Sequence, residues 1–187
     1  WEEANILFDL FPDTVIVGGR VHNGKEILEA GYAFGYGGGI GCPDVGRPIN
    51  DPGYFAQMWK PRSVAAVSAR YCFVDKKFLE EAINYLPDVV SASALGPWLG
   101  ALAARVSKRV IYSPYVETRI ASGLSRKTIT NEELCYFNAH FGDLSSNHVG
   151  YPDRLDRSGR SPYVPGGGNR EKLPNRVSYA RFLEERI

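Results

Sequence analysis

Two short runs rich in β-branched residues restrict the fold of this chain more than any other feature. Thr14-Val15-Ile16-Val17 is followed by two glycines, and Arg109-Val110-Ile111-Tyr112-Ser113 is followed by a proline. Runs of this kind are typical of strands that are buried on both faces. A segment with apolar residues at helical spacing precedes each run, at 1–11 and at 91–107. The order of helix and then buried strand predicts an α/β fold.

Local signals predict further elements along the chain. Ser63 to Val74 is rich in small and β-branched residues and predicts one longer strand. Asp75 is placed to cap a helix that runs to Ile83, and Thr130 marks the start of another helix. Asn23-Gly24 predicts a tight turn between two extended segments. The glycines between 31 and 41 lack the Lys-Ser/Thr step of a phosphate-binding loop and predict an irregular extended loop.

The composition changes near residue 145. Residues 1–144 have the pattern of one packed domain, whereas 145–187 is rich in Gly, Pro and Arg. We predict an exposed polar tail here, with a short terminal helix at 178–187. The chain begins with Trp and not with Met, so we expect it to be a segment of a longer gene product.

Charge and cysteine content exclude several classes of protein. With 22 Lys+Arg against 21 Asp+Glu, the net charge of +1 predicts no nucleic-acid partner. No apolar run approaches the roughly 20 residues of a membrane-spanning helix. Three cysteines without a Cys-x-x-Cys pair indicate a reducing cytoplasm. His140, Asp143 and His148 have the spacing of no common metal site, so we predict surface positions and no metal site.

Several motifs, taken in order, resemble the second half of family 2 glycosyltransferases of O-antigen and rhamnan biosynthesis. The resemblance covers about residues 1–165, and its landmarks include residues 1–19, Glu29-Ala30-Gly31, Gly38-Gly39-x-Gly41, Asp51-Pro52-Gly53-Tyr54-Phe55, Arg62-Ser63-Val64-Ala65-Ala66-Val67, Phe73-Val74, and Arg109 to Tyr115. Each motif is weak alone, but their shared order is more specific. The chain therefore resembles the acceptor-binding half of a GT-A domain, with a mixed sheet flanked by helices.

The resemblance also implies a reaction and partners. In the complete family domain, a separate half binds a nucleotide-sugar and a divalent metal, Mn²⁺ or Mg²⁺. The sugar passes to an acceptor glycan as a carboxylate takes the proton of the acceptor hydroxyl. For this chain the resemblance implies a carbohydrate acceptor, a nucleotide-sugar-binding half as partner, and a place in the cytoplasm or at the inner face of the membrane.

The functional positions of the family are not all kept. The stretch that matches the family's catalytic base, Ala94 to Gly100, has no carboxylate, and Asp88 is the nearest candidate. Ile120-Ala121 replaces a His-His pair, and Ala69-Arg70 replaces a Gly-Ala step. Two hypotheses follow: a portion of a glycosyltransferase that is inactive alone, or a degenerate, non-catalytic carbohydrate-binding or scaffold module.

Six residues are predicted to bind the acceptor saccharide. The set is Asp51, Tyr54, Trp59, Arg62, Arg70 and Tyr71. Aromatic rings can stack on sugar rings, while Asp and Arg side chains fix hydroxyl groups. The alternative for the first four residues is turn chemistry with core aromatics, and for Arg70 it is an ordinary salt bridge.

Overall fold

The computed structural model describes residues 1–121, 129–146, 149–152 and 154–165. They form a mixed α/β fold, which confirms the predicted class. The α-helices are α1 (Glu2–Leu10), α2 (Lys76–Ala82), α3 (Leu95–Arg105) and α4 (Asn131–Phe141). The strands are β1 (Thr14–His22), β2 (Ile27–Glu29), β3 (Ala33–Phe34), β4 (Ile40–Gly41), β5 (Arg62–Val64), β6 (Cys72–Val74) and β7 (Arg109–Arg119). None of the helices in these ranges combines the length and hydrophobicity that crossing a bilayer requires.

Strand β1 organises the main sheet. The strand order is β2-β1-β7-β5, and β6 also pairs with β1. β1 and β7 are parallel, with Ile16 opposite Val110 and Val17 opposite Ile111. The other pairs of this sheet are antiparallel, and β3 and β4 form a separate small hairpin. The two runs that the sequence singled out are therefore the two parallel strands of a mixed sheet.

The alternation of side chains along β1 and β7 divides the core in two. Ile16 and Val110 belong to the large cluster that also contains residues of α2, α3 and α4. Val17 and Ile111 point the other way and pack with Leu7 of α1. Successive side chains of a strand face opposite sides of the sheet, so a strand covered on both sides is apolar throughout. This explains the uninterrupted apolar runs in the sequence.

The prediction of one strand from Ser63 to Val74 is wrong. The chain forms β5 against β7 and later β6 against β1, and between them it bridges to Tyr32. The Tyr32 N–H donates to the Ala66 carbonyl at 2.8 Å, and the Ala65 N–H donates to the Tyr32 carbonyl at 3.1 Å. The segment changes partner twice, so it cannot be one straight strand.

Two predicted helix starts are confirmed by their caps. Asp75 accepts a hydrogen bond from the Phe78 N–H at 2.8 Å. Thr130 and Glu133 form a reciprocal capping box at the start of α4. Glu133 also accepts from the Ser91 N–H at 2.9 Å and so ties α4 to the segment before α3. Helix α3 itself begins at Leu95, later than the predicted residue 91.

Part of the predicted exposed tail is packed against the domain. Tyr151 and Leu155 are buried with Ala33 and Tyr36 in a small cluster. The Arg157 guanidinium donates to the Phe34 carbonyl at 2.8 Å and so fixes this segment to β3. Polar composition alone did not reveal these anchors. The predicted terminal helix at 178–187 lies outside the described residues.

Gly19 lies where β1 passes closest to β7. A Cβ atom built on Gly19 would lie 1.6 Å from the Val116 carbonyl oxygen and 2.4 Å from that of Ser113. Both obstacles are backbone atoms of β7, and the register between the strands shifts at this point. A side chain at position 19 would therefore require the central strand pair to separate.

We expect Gly19→Ala to lower the free energy of unfolding by about 1–3 kcal/mol or more, since 1–3 kcal/mol is the usual cost of overpacking a core. Gly142→Ala is the matched control, because its Cβ would meet no atom within 4 Å and its φ of −59° is helical. Chemical denaturation of both variants measures the difference in the free energy of unfolding. Equal stability of the two variants would contradict the close packing of β1 on β7.

Candidate functional site

Asp44 is a fully buried carboxylate at the centre of a polar network. Its exposed fraction is 0%. The Tyr163 hydroxyl donates to it at 2.8 Å, and the Gln57 amide lies 3.2 Å from both of its oxygens. Arg47 and Arg62 contact it at 3.1 and 3.3 Å. A buried carboxylate is tolerated only with such partners, and we call these five residues the Asp44 clasp.

The clasp joins parts of the chain that are distant in sequence. Arg62 begins β5, Gln57 lies in the 3-10 turn Tyr54–Trp59, and Tyr163 comes from the packed C-terminal segment. The Tyr163 ring stacks on the Tyr54 ring, with centroids 5.0 Å apart and planes 9° apart. Burial and the Asp44 charge raise the pKa of Tyr163, so the phenol remains protonated and donates to Asp44.

Three of the predicted acceptor residues belong to this network or to its edge. Arg62 is a member, and Tyr54 stacks on a member. Asp51 accepts hydrogen bonds from the Gly53 N–H at 2.7 Å and from Arg47 at 3.1 Å. The bond from Gly53, together with Arg47, lowers the pKa of Asp51. Asp51 and Arg62 therefore stabilise the site through hydrogen bonds and ion pairs to other residues of the protein.

The turn above the clasp presents aromatic side chains to solvent. Phe55 and Trp59 are 82% and 55% exposed. Phe55 and Ala56 have φ angles of +51° and +57°, in the left-handed region that costs about 1–2 kcal/mol for a non-glycine residue. The Phe55 ring meets the Tyr54 ring edge-on at a centroid distance of 4.6 Å. We call Tyr54, Phe55 and Trp59 the aromatic shelf.

A groove of about 420 Å³ lies beside the shelf. Its walls include Tyr54, Phe55, Lys60, Arg62 and Tyr151. The groove therefore combines aromatic faces with cationic hydrogen-bond donors. Phe55 is 82% exposed, so the left-handed backbone buries little of its ring, and strained backbone of this kind occurs at functional sites.

Arg70 and Tyr71 lie apart from the residues that line this groove. Arg70 donates to Glu29 at 2.7 Å, as the salt-bridge alternative expected. The Ser68 hydroxyl donates to the other carboxylate oxygen of Glu29. Tyr71 is partly exposed and meets Phe73 edge-on at a centroid distance of 5.8 Å. The structure thus places four of the six predicted residues in the shelf and the clasp or beside them, Arg70 at Glu29, and Tyr71 beside Phe73.

The stretch that the resemblance aligns with the family's catalytic base, Ala94 to Gly100, is packed tightly against the backbone of a neighbouring segment. A Cβ on Gly96 would lie 2.1 Å from the Val67 carbonyl oxygen, and one on Gly100 would lie 2.4 Å from that of Ala65. Helix α3 therefore packs directly against the backbone from Ala65 to Val67, and there is no room for a side chain at position 96. Asp88 is exposed in a turn well before α3.

Asp143 and His140, two of the remaining titratable candidates, lie at the surface. Asp143 pairs with Arg105 at 2.6 Å, His140 is exposed, and His148 lies outside the described residues. Within the described ranges, no three His, Cys, Asp or Glu side chains form a group that could hold a metal ion.

The sequence did not reveal Asp44, Glu29, Phe55, Gln57 or Tyr163. Asp44 and Glu29 stand alone among glycines and apolar residues, and Phe55 stands beside a turn. The useful signals were indirect. Asp51-Pro52-Gly53 marked the turn, and the salt-bridge alternative for Arg70 indicated a carboxylate partner.

We expect Tyr163→Phe to lower the free energy of unfolding by about 1–2 kcal/mol, because a buried carboxylate loses a donor. Tyr115→Phe is the control, since that residue is 72% exposed and outside the clasp. Urea denaturation of both variants provides the comparison. Unchanged stability in both would show that the Tyr163 hydroxyl does not hold Asp44.

Comparison of the chain with protein-family models, with curated proteins and with solved structures found no match in any of the three. The functional conclusion therefore depends on the site geometry together with the resemblance in the sequence.

Proposed function

We propose that this chain is the acceptor-binding half of a family 2 glycosyltransferase-like protein, and that it binds a saccharide without transferring a sugar by itself. The observation that carries the proposal is the aromatic shelf, where left-handed backbone at Phe55 and Ala56 presents two aromatic side chains to solvent.

Saccharides match the chemistry of this surface. One face of a sugar ring carries C–H groups, which leave water favourably when they cover an aromatic ring. The hydroxyl groups at the ring edge need hydrogen-bond partners, and Lys60 and Arg62 lie in the groove beside the shelf. The Asp44 clasp fixes the 3-10 turn that carries the shelf through Gln57, so little conformational entropy is lost when a ligand binds.

A carbohydrate-binding module is the alternative that the packing of α3 favours. The Gly96 contact with Val67 supports a domain without a carboxylate at the matched base position. In the glycosyltransferase version the nucleotide-sugar and the divalent metal belong to a separate half, whereas the module version is non-catalytic. The two versions differ in one result: transfer on addition of a nucleotide-sugar-binding half supports the glycosyltransferase version, and binding alone supports the module.

We expect Trp59→Ala and Phe55→Ala each to weaken binding of surface-polysaccharide oligosaccharides about 5- to 10-fold, because each variant removes an apolar stacking face. Isothermal titration calorimetry of the wild type and both variants measures the effect. The same samples, mixed with nucleotide-sugars and acceptors, should release no nucleotide diphosphate.

Tyr115→Ala is the matched control, because it removes an exposed aromatic ring outside the shelf and groove. Its oligosaccharide affinity should equal that of the wild type. Equal losses in Tyr115→Ala and Trp59→Ala, or no oligosaccharide binding by the wild type, would reject the proposal.

A further inference from the structure

The glycine-rich loop after β3 and the packed C-terminal segment enclose a second cavity. The Gly37 N–H donates to the Arg157 carbonyl at 2.8 Å. Gly159 has a φ of +83°, and a Cβ atom built on it would lie 3.0 Å from the Cα atom of Gly37 and 4.0 Å from Cε1 of Tyr36. This close contact brings Arg160, the next residue, to a cavity of about 440 Å³ that Tyr36 and Arg160 both line.

Tyr36 brings an unused hydrogen-bond donor to this cavity. The residue is only 6% exposed, yet its hydroxyl makes no hydrogen bond within the described part of the chain. In that part, the side-chain atoms that lack both solvent access and a hydrogen bond are on other residues, so the Tyr36 hydroxyl opens onto the cavity. Burial raises the pKa of Tyr36 to about 12, so the phenol is protonated at neutral pH. Buried polar groups are almost always hydrogen-bonded, and a donor left over beside a cavity therefore points to a ligand.

Arg160 is the charged group of the wall that remains unpaired among the described residues. The other charged group of the wall is Glu29. Both oxygens of Glu29 accept hydrogen bonds from within the protein, and Arg70 balances its charge at 2.7 Å. The exposed Arg160 guanidinium forms no ion pair with any described residue. Asp156 is near enough for the charge of Arg160 to act on it, but its side chain accepts its hydrogen bonds from Ser158.

A ligand with one negative charge matches this wall. An Arg guanidinium binds a carboxylate through charge-assisted hydrogen bonds, often two at once. A second negative charge would find no second cation among the described residues of the wall, so a carboxylate fits better than a dianionic phosphate. The cavity volume is in the usual range for small organic ligands, and Val45 and Leu134 provide apolar surface for the body of such a ligand.

We infer that this cavity binds a small organic carboxylate, whose oxygens accept hydrogen bonds from the Arg160 guanidinium and the Tyr36 hydroxyl. The inference goes beyond the proposed function and does not depend on it, because neither residue belongs to the aromatic shelf or lines the groove beside it. Free carboxylic acids and the uronate units of glycans share this chemistry, and the experiment separates them.

Titration of methyl glucuronide, methyl glucoside and benzoate, followed by NMR chemical-shift perturbation, tests the inference. The two sugars differ only in the carboxylate, and we expect the tighter-binding carboxylate to exceed methyl glucoside at least about 10-fold in affinity, because charge-assisted hydrogen bonds are the strong ones. Benzoate that binds at least as tightly as the glucuronide identifies a site for a free acid, and tighter binding of the glucuronide identifies an acidic glycan unit. Methyl glucoside that binds as tightly as the carboxylates, or no binding of either carboxylate, would overturn the inference.

Arg160→Gln removes the guanidinium from an exposed position, where the change does not threaten the fold. It should weaken binding of the carboxylate about 10-fold or more, because a hydrogen bond to a charged group is lost. Arg154→Gln is the matched control, since Arg154 is an exposed arginine of the same segment that does not line the cavity. Equal losses in the two variants would show an effect of net charge alone and would overturn the site.

Tyr36→Phe removes only the hydroxyl group. It should weaken carboxylate binding about 10-fold, because the hydroxyl donates to a charged acceptor. The urea midpoint of unfolding should equal that of the wild type, because the hydroxyl has no hydrogen-bond partner among the described residues. A lower midpoint with unchanged carboxylate affinity would show that the hydroxyl serves the fold and not the ligand.

Trp59→Ala separates this inference from the proposed function. Trp59 does not line the cavity, so the variant should leave carboxylate affinity within about twofold of the wild type. Loss of carboxylate binding in Trp59→Ala but not in Arg160→Gln would place the carboxylate at the shelf and overturn the cavity site. If neutral oligosaccharides bind and depend on Trp59, but no carboxylate binds, then the cavity inference is wrong and the shelf remains.

Discussion

The removal of the Asp44 carboxylate from water is the constraint on which the structure around the candidate site depends. Burying an ionised carboxylate costs several kcal/mol unless charged and polar partners replace its hydration. Here those partners come from the loop after β4, the 3-10 turn, the start of β5 and the C-terminal segment. None of these segments can move away without leaving the charge unsatisfied. The carboxylate therefore fixes the turn that carries the aromatic shelf.

The scaffold below this surface was largely predictable because its signals are local. The buried runs of β1 and β7, the Asp75 cap and the Thr130 start each depend on neighbouring residues, and the structure confirms them. The segment after β5 was not predictable, because its path depends on three partners in turn: β7, Tyr32 and β1. The residue pattern predicts extended backbone, but it does not predict the positions at which the segment leaves one pairing strand for another.

The candidate site was only partly predictable for a related reason. The sequence predicted Arg62 and Arg70 as acceptor-binding residues, with a salt bridge as the alternative for Arg70, but their carboxylate partners lie 18 and 41 residues away. The distance from Asp44 to Tyr163 is 119 residues. Pairs this far apart leave no spacing rule in a single chain. The strained φ of Phe55 and Ala56 is equally invisible, because neither residue is a glycine and only the fold imposes that backbone.

The segment on which α3 packs also leads to the buried carboxylate of Glu29. Gly96 and Gly100 bring the helix directly onto the segment from Ala65 to Val67, so no carboxylate fits at position 96. The same segment continues into Ser68 and Arg70, which donate hydrogen bonds to the buried Glu29 carboxylate. The close contact of α3 with this segment thus excludes an acidic side chain at position 96, and the continuation of the same segment fixes the side chain of Glu29. Both oxygens of Glu29 already accept hydrogen bonds from within the protein, so this carboxylate links the segment after β5 to the end of β2.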